Sequence, residues 1–166
     1  MALNAYLHLK GQKQGDINGS VTQKGREGKI MVIAVSHEIT SPRDPQSGLP
    51  TGKRMHKPFV ITKELDKSSP LLYNALCNNE NITEFELQFF SPNTKAVGVG
   101  LEVNNYTVRL TNANIADIRF TMLNNKNPEL AKFAEYEEIA FTYQKITWTW
   151  MDGGITASDD WESPVA

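Results

Sequence analysis

Short runs in which apolar and polar residues alternate recur along this chain, and they restrict it to a β fold. Apolar side chains occupy every second position from Leu3 to Leu9, again from Phe85 to Phe89, and again from Ile139 to Tyr143. A period of two places successive side chains on opposite faces of a strand, so that one face can be buried. Such strands at short spacing predict a mainly β, antiparallel sandwich or barrel.

Further strands are indicated by composition. Lys29 to His37 is a nearly continuous run of β-branched and aliphatic residues, and it predicts a central strand. Pro58 to Leu65 resumes the strand pattern. The remaining predicted strands are Ala96 to Val103, Tyr106 to Leu110, Ile115 to Met122 and Glu138 to Trp150. Asn104 and Asn105 lie between two of them and predict a two-residue hairpin turn, because asparagine tolerates positive φ.

One short helix is predicted at about residues 70–78. Ser69 precedes Pro70, and we expect the serine hydroxyl to accept a free backbone N–H at the start of the helix. Three apolar side chains share one helical face: Leu72, Ala75 and Leu76. A helix this short is marginal alone, so we expect it to pack on a sheet. Residues 128–136 are compatible with either one helical turn or a loop.

A long segment without any periodic pattern separates two predicted strands. It covers about residues 41–57 and is rich in proline, glycine, arginine and lysine. Loops of this length without their own secondary structure are uncommon and usually functional. A second segment of turn residues and charges, with one tryptophan, forms a tail at about residues 152–166.

Length and charge exclude several classes of protein. A chain of 166 residues predicts one domain with a sizeable core. The net charge is −2, with both signs spread along the chain, and this balance argues against a nucleic-acid partner. The N-terminus does not resemble a signal peptide, and no apolar run approaches the length of a membrane span. We therefore expect synthesis in the cytoplasm, no membrane insertion, and any export to proceed without a cleavable signal.

No combination of residues predicts catalysis, a metal site or a cofactor site. His8, His37 and His56 lie in separate segments, without other ligands at metal-binding spacing. Asp159 and Asp160 invite interpretation as an acid/base pair or calcium ligands, but a solvated acidic tail is preferred. We predict that the protein is not an enzyme; a hydrolase that uses Asp159, Asp160 or His56 is the competing hypothesis.

Three tryptophans near the C-terminus leave a binding function open. Trp148, Trp150 and Trp161 are suited to a sugar or peptide platform on a monomeric β-sandwich, as in a lectin or adhesin, although packing in cores and interfaces is the commoner use. Trp148 and Trp150 share strand parity and are expected on one side of a sheet. Trp161 lies in the polar tail, where burial needs a partner surface, so we predict it at a subunit interface.

Four separated strings of residues resemble one known family. They are GDINGSVTQKGREGKI, SPRDPQSGLPTGKRMHKPF, ITKELDKSSPLLYNAL and ITWTWMDGGITASDDW, in this order along the chain. Together they are similar to Hcp, the hemolysin-coregulated protein family that forms the inner tube of bacterial type VI secretion systems. The resemblance covers essentially the whole chain, and the long loop string makes it specific.

The resemblance implies a fold and an assembly. It implies a single Hcp-like domain over residues 1–166, built as an antiparallel two-sheet β-barrel with one short α-helix and a long extended loop. It also implies a homo-hexameric ring without cofactors, stacked with other rings into a hollow tube. The implied partners are a contractile sheath, a trimeric spike protein and effector proteins carried in the lumen. The implied location is the bacterial cytoplasm, followed by export out of the cell.

The long loop is the segment that we predict to carry assembly. A tube needs one interface that closes each ring and a second that repeats along its axis, and an extended loop from Arg43 to Lys57 is suited to the second. Charged side chains on the loop can set register, and its prolines limit the entropy lost when it orders on a neighbour. The alternative is a loop folded on its own barrel. The predicted subunit contacts are Arg43, Asp44, Pro45, Gln46, Ser47, Gly48, Thr51, Lys53, Arg54, His56, Lys57 and Trp161.

Overall fold

Two antiparallel sheets packed face to face form the body of the protein. The computed structural model describes residues 2–92 and 102–161. The larger sheet has the order β13-β12-β9-β8-β1-β2, and β3 also pairs with β1. Its strands are β1 Ala5–Gly11, β2 Gly15–Ile17, β3 Ile30–Val32, β8 Ile82–Pro92, β9 Glu102–Thr111, β12 Lys145–Trp150 and β13 Ile155–Asp160.

The smaller sheet has four strands in the order β10-β11-β7-β4. Its strands are β4 Ala34–Ser36, β7 Phe59–Glu64, β10 Asn114–Thr121 and β11 Tyr136–Thr142. A separate pair, β5 Ile39–Thr40 and β6 Met55–His56, belongs to neither sheet. The predicted class, mainly β and antiparallel with one short helix, is confirmed. Hydrogen bonds among the described residues do not close the two sheets into one barrel.

The inward faces of both sheets meet in one apolar core. Phe85 of the larger sheet lies between Phe59 and Phe141 of the smaller one, with ring centroids 5.6 and 4.9 Å away. Leu7 and Leu87 on neighbouring strands are fully buried beside them. Each such side chain contributes about 1.5–3 kcal/mol through removal from water. The alternation that predicted these strands therefore marks the core residues correctly.

The run from Lys29 to His37 is not one central strand. It divides at Ile33 into β3, which pairs with β1, and β4, which is the end strand of the smaller sheet. Ile30 is fully buried whereas Ile33 is 45% exposed, so the chain leaves the core as it crosses between the sheets. Both short strands contain β-branched residues, so composition alone does not show at which residue the chain passes from one sheet to the other.

The hairpin turn predicted at Asn104 and Asn105 is also wrong. Both residues lie inside β9, where the register with β8 shifts between Phe89 and Phe90. Asn105 is the extra residue at this irregularity, and its carbonyl oxygen accepts a hydrogen bond from the amide of Met151 at 3.0 Å. Bulges and turns favour similar residues, which explains the misassignment. Most of the strand predicted at residues 96–103 lies outside the described residues.

The helix, α1 Ser69–Cys77, occurs where it was predicted but begins differently. Its N-cap is Ser68, which makes no side-chain capping bond to the helix. The Ser69 hydroxyl instead accepts bonds from the Asp66 amide at 3.2 Å and from the Lys63 ammonium at 3.1 Å. Leu72 and Ala75 are buried as expected. Residues 128–136 contain turns rather than a regular helix.

A buried lysine ties the start of α1 to the smaller sheet. The Lys63 side chain is completely inaccessible, and its ammonium lies 3.2 Å from the equally buried Glu137 carboxylate and 3.1 Å from Asp66. The Glu64 carbonyl accepts a further bond at 3.0 Å. A charge buried this deeply is tolerated only when it is paired and hydrogen-bonded. No helix among the described residues is long and apolar enough to cross a membrane.

Candidate assembly surface

The long loop is an extended β-hairpin, which we call the arm and define as residues 38–57. Ile39 pairs with His56 and Thr40 with Met55 at its base. Farther out, the amide of Thr51 donates to the carbonyl of Pro42 at 3.0 Å. The arm is thus extended as predicted, but it has secondary structure of its own. Its prolines interrupt the apolar–polar alternation, so the sequence pattern does not indicate these strands.

A tight turn closes the tip of the arm. The Asp44 carboxylate accepts bonds from the Gln46 amide at 3.1 Å and from the Ser47 hydroxyl at 2.6 Å. The Gly48 amide bonds the Asp44 carbonyl at 2.8 Å, and Gly48 has a φ of +72°. Glycine adopts this left-handed conformation without strain. These local bonds hold the tip in one shape while leaving it exposed to solvent.

The base of the arm is fastened to the body by five polar side chains, which we call the anchor network: His37, Arg54, His56, Tyr143 and Asp159. The Tyr143 hydroxyl lies 2.7 Å from His37 Nε2 and 2.8 Å from His56 Nδ1. His56 Nε2 lies 2.7 Å from Asp159 Oδ2. Arg54 donates through Nη2 to Asp159 Oδ1 at 2.8 Å. This side of the arm is therefore folded on its own body.

Distant elements supply these five groups. His37 follows β4, Tyr143 lies in the turn between β11 and β12, and Asp159 is near the end of β13. Trp161 adds its ring to the same place, since its indole N–H donates to the Tyr143 carbonyl and its ring centroid lies 6.1 Å from that of His56. The bonds of His56 to Tyr143 and to Asp159 join residues more than 80 positions apart in the chain.

Burial and charge shift the ionisation of the network in consistent directions. Burial, assisted by the Asp159 charge, raises the pKa of Tyr143 to about 12. Burial, followed by the neighbouring His56, lowers the pKa of His37. The hydrogen bond from Arg54 is the largest cause that lowers the pKa of Asp159. Near neutral pH, Tyr143 is therefore a neutral phenol and Asp159 a carboxylate.

The structure divides the predicted contact residues into two groups. Arg54, His56 and Trp161 meet at the base, and Lys57 forms an exposed ion pair with Glu38 at 3.0 Å. The others line the outer arm and are exposed or half-buried: Arg43, Asp44, Pro45, Gln46, Ser47, Gly48, Thr51 and Lys53. Neither Arg43 nor Lys53 forms an ion pair with any residue that the structure describes. The outer group therefore lies at the end of the arm that is farther from the anchor network.

Sequence reasoning missed the partners of the arm. It treated His37 as an isolated residue and Asp159 as part of a solvated tail, whereas β13 makes that part of the tail a strand paired with β12. A turn signal was present in Asp152, Gly153 and Gly154, where both glycines have positive φ. That signal could have predicted the β12–β13 hairpin, but not the contact of Asp159 with the arm.

In the anchor network, hydrogen bonds connect the Tyr143 phenol to the His56 imidazole and His56 to the Asp159 carboxylate, an order that resembles a catalytic triad. Tyr143 is only 5% exposed, and its raised pKa makes it a poor nucleophile near neutral pH. The adjoining cavity has a volume of about 80 Å³ and is lined by His56, Tyr143, Trp161 and their neighbours. Among the described residues no group of three metal-ligating side chains is assembled. The arrangement favours a role in holding the arm.

Apolar side chains on the arm are unusually exposed. Leu49 at the tip is 64% exposed and Met55 50%. A second exposed group surrounds the β12–β13 turn, where Ile155 is 69% and Trp150 45% exposed. Trp148, on the same side of β12, instead packs against the core. Exposed apolar side chains are a common component of protein contacts when they cluster.

Replacing Tyr143 with phenylalanine tests the anchor network. We expect Tyr143→Phe to lower the free energy of unfolding by about 1–3 kcal/mol at neutral pH, because both imidazoles lose a buried partner. Since the folded pKa of about 12 lies above the ordinary tyrosine value, Tyr143 contributes stability that is lost as pH rises past about 10. Urea unfolding of both proteins at neutral and alkaline pH measures this. An equal alkaline loss in the phenylalanine variant would contradict the assignment.

Two facing antiparallel sheets, one flanking helix and a hairpin arm define a mainly β protein of the two-sheet class. The model of the family described as type VI secretion system effector, Hcp, matches residues 6–150. The chain belongs to this Hcp family. Its relative "Major exported protein" of Pseudomonas aeruginosa is 45% identical, and the match covers 100% of this chain and 99% of that protein.

Solved structures show the same fold. A crystal structure of an Hcp protein has a TM-score of 0.88 and 35% identity, covering 97% of this chain and 99% of that one. The secreted protein Hcp3 of Pseudomonas aeruginosa has a TM-score of 0.77 and 36% identity, covering 96% and 99% of the two chains. The family resemblance of the sequence strings is thereby confirmed.

Proposed function

We propose that this protein is the structural subunit of a type VI secretion inner tube. In this proposal six copies form a ring, rings stack into a hollow tube, and the tube leaves the cell with effector proteins in its lumen. The contractile sheath and the trimeric spike of the same system are its further partners. The observation that carries the proposal is membership of the Hcp family together with a structured arm that projects from the body.

The geometry supports assembly through the arm. Its base is held by the anchor network while its tip exposes Leu49 and the charges of Arg43 and Lys53. A structured hairpin loses less conformational entropy on binding than a flexible loop would. Apolar area supplies affinity, and exposed charges select the register in which neighbouring subunits meet. We therefore assign the outer arm to contacts between subunits, and Trp161 to the support of its base.

The open edges of the larger sheet support ring formation. Strand β13 is an end strand of that sheet, and residues 155–158 on it are exposed. Unpaired strand edges join other chains readily unless something covers them. If the β13 edge of one copy contacts a different surface of the next copy, the contact is heterologous. Such contacts produce a closed ring when the rotation that relates successive copies divides a full turn evenly.

A structural role without turnover accounts for the anchor network better than hydrolysis does. His56 and Asp159 are both engaged in holding the arm, and the buried phenol beside them stays protonated near neutral pH. The competing lectin-like or adhesin-like monomer is not favoured either. Trp148 packs on the core and Trp161 on His56, so the three tryptophans are used in different environments.

The mass of the purified protein in dilute solution tests the proposal. We expect a particle of six times 18.6 kDa by sedimentation velocity, and six-membered rings in negative-stain images. A monomer at every accessible concentration, without rings, would refute ring formation. Export is tested separately, by following the protein in the culture medium of cells with and without a functional secretion system.

A further inference from the structure

The anchor network links two histidines through a single phenol. His37 Nε2 and His56 Nδ1 both lie within hydrogen-bond distance of the Tyr143 hydroxyl, at 2.7 and 2.8 Å. His56 Nε2 faces the Asp159 carboxylate at 2.7 Å. One phenol has a single O–H to donate and two lone pairs to accept with. The protonation states of the two histidines are therefore coupled through one hydroxyl group.

Proton counting shows which states the network accommodates. When both imidazoles are neutral, His37 donates to Tyr143, Tyr143 donates to His56, and His56 donates to Asp159. When only His56 is charged, both of its N–H groups donate, and Tyr143 turns its O–H toward His37. When both imidazoles are charged, the Tyr143 oxygen accepts hydrogen bonds from two N–H groups, and neither histidine has a free nitrogen to accept the Tyr143 O–H. A buried hydroxyl without an acceptor is unfavourable.

The surrounding charges do not relieve the doubly charged state. Among the described residues, the carboxylate that bonds a histidine of the network is Asp159, which lies on the His56 side and is already bonded by Arg54. The Asp160 carbonyl accepts from Arg54 at 2.9 Å, and its side chain accepts from Gln144. Lys57 and Glu38 pair with each other in solvent. His37 packs against the Phe59 ring, with centroids 5.1 Å apart, and forms no ion pair with the described residues.

We propose that the anchor network is an acid-sensitive latch, which releases the base of the arm when His37 and His56 are charged together. The latch would control the position of the outer arm, which is assigned above to subunit contacts. Its effect on assembly rests on that proposed function. When both imidazoles are charged, the two cations on either side of one phenol repel each other and leave its O–H unpaired. Separation of β5–β6 from Tyr143 and Asp159 relieves both effects.

The direction of the pH effect follows from His37. Its pKa is lowered by burial and then by the neighbouring His56, so the closed arm binds this proton less readily than the open arm. The closed state is fully favoured above the ordinary imidazole value of about 6.5 and loses stability as pH falls below it. The pKa of Asp159 is lowered, chiefly by Arg54, so this carboxylate stays charged in the same window.

Hydrogen exchange of the full-length protein tests the latch. Exchange rates of amides in residues 38–57, corrected for the intrinsic effect of pH, are compared between about pH 7.5 and about pH 5. We expect the protection of these amides to fall by about tenfold in acid, while the amides of β1 and β8 stay protected. Unchanged protection of the arm in acid would overturn the proposal.

Three variants separate the latch from general acid effects. His37→Gln and His56→Gln each exclude the doubly charged state, and we expect either one to abolish most of the acid-induced loss of protection. His8→Gln is the matched control, because His8 faces Asp16 and Glu84 on another part of the larger sheet; it should behave as the unmodified protein does. The latch would be refuted if acid reduced the protection of the arm as much in His37→Gln and His56→Gln as in the unmodified protein.

Sedimentation velocity on the same samples separates the latch from the proposed function. Arm opening accompanied by loss of the hexamer supports both. Arm opening with an unchanged hexamer supports the latch and shows that the arm does not hold the ring closed, which leaves stacking between rings as its contact. A closed arm in acid refutes the latch, whatever the oligomeric mass.

Discussion

Replacing Lys63 with methionine is expected to lower the free energy of unfolding by about 3–5 kcal/mol, because it leaves the buried Glu137 carboxylate without its cation. Both side chains are fully inaccessible, and the ammonium also bonds Asp66, Ser69 and the Glu64 carbonyl. Urea unfolding at one fixed protein concentration measures the change, since assembly makes apparent stability depend on concentration.

Two further variants make this test specific. Lys63→Met combined with Glu137→Gln should recover part of the loss, because the second substitution removes the uncompensated charge. Lys57→Met is the matched control: its partner Glu38 is exposed, and exposed pairs contribute little. A Lys63→Met protein as stable as the Lys57→Met protein would show that the buried pair does not hold α1 to the smaller sheet.

Removal of Gln46 to Thr51 is expected to abolish stacked rings or the rings themselves while leaving the body folded. These residues form the exposed tip, and they lie beyond the β5–β6 pairing and the anchor network that hold the base. The free energy of unfolding of the single subunit, measured at a concentration where both proteins are monomeric, should change by no more than about 0.5 kcal/mol, as for most surface changes. Electron microscopy and sedimentation velocity measure assembly. Unchanged tubes from the shortened chain would refute the role of the tip.

Point variants distinguish a contact from a general loss of solubility. Leu49→Ser should weaken assembly, whereas Met122→Ser should not, although Met122 is 60% exposed and Leu49 64%. Arg54 is one of the contacts predicted from sequence, but in the structure it bonds Asp159 within the chain. An effect of Arg54→Glu would therefore mix loss of the anchor network with loss of a contact. Arg43→Glu avoids this ambiguity, because Arg43 lies on the exposed outer arm.

The sequence alone predicted the family, the helix and the strands whose alternation is regular. Alternation from Leu3 to Leu9 predicts β1 because burial of one face is a local pattern with a period of two. A serine-proline pair and an apolar face likewise predict α1 within a residue or two. Local patterns do not report long-range pairing, so Asn104 and Asn105 were assigned to a turn although β8 and β12 hold them inside β9.

Only the tertiary structure decided what the arm rests on. Arg54 and Asp159 are separated by 105 positions, and Lys63 and Glu137 by 74, so neither ion pair is visible in any local window. Their contacts depend on the order of strands in the two sheets and on the place where the chain crosses between them. The long loop and the tail read as exposed polar segments in the sequence. In the fold they become a hairpin and a strand joined through Asp159, which bonds Arg54 and His56, because strand order brings these distant groups together.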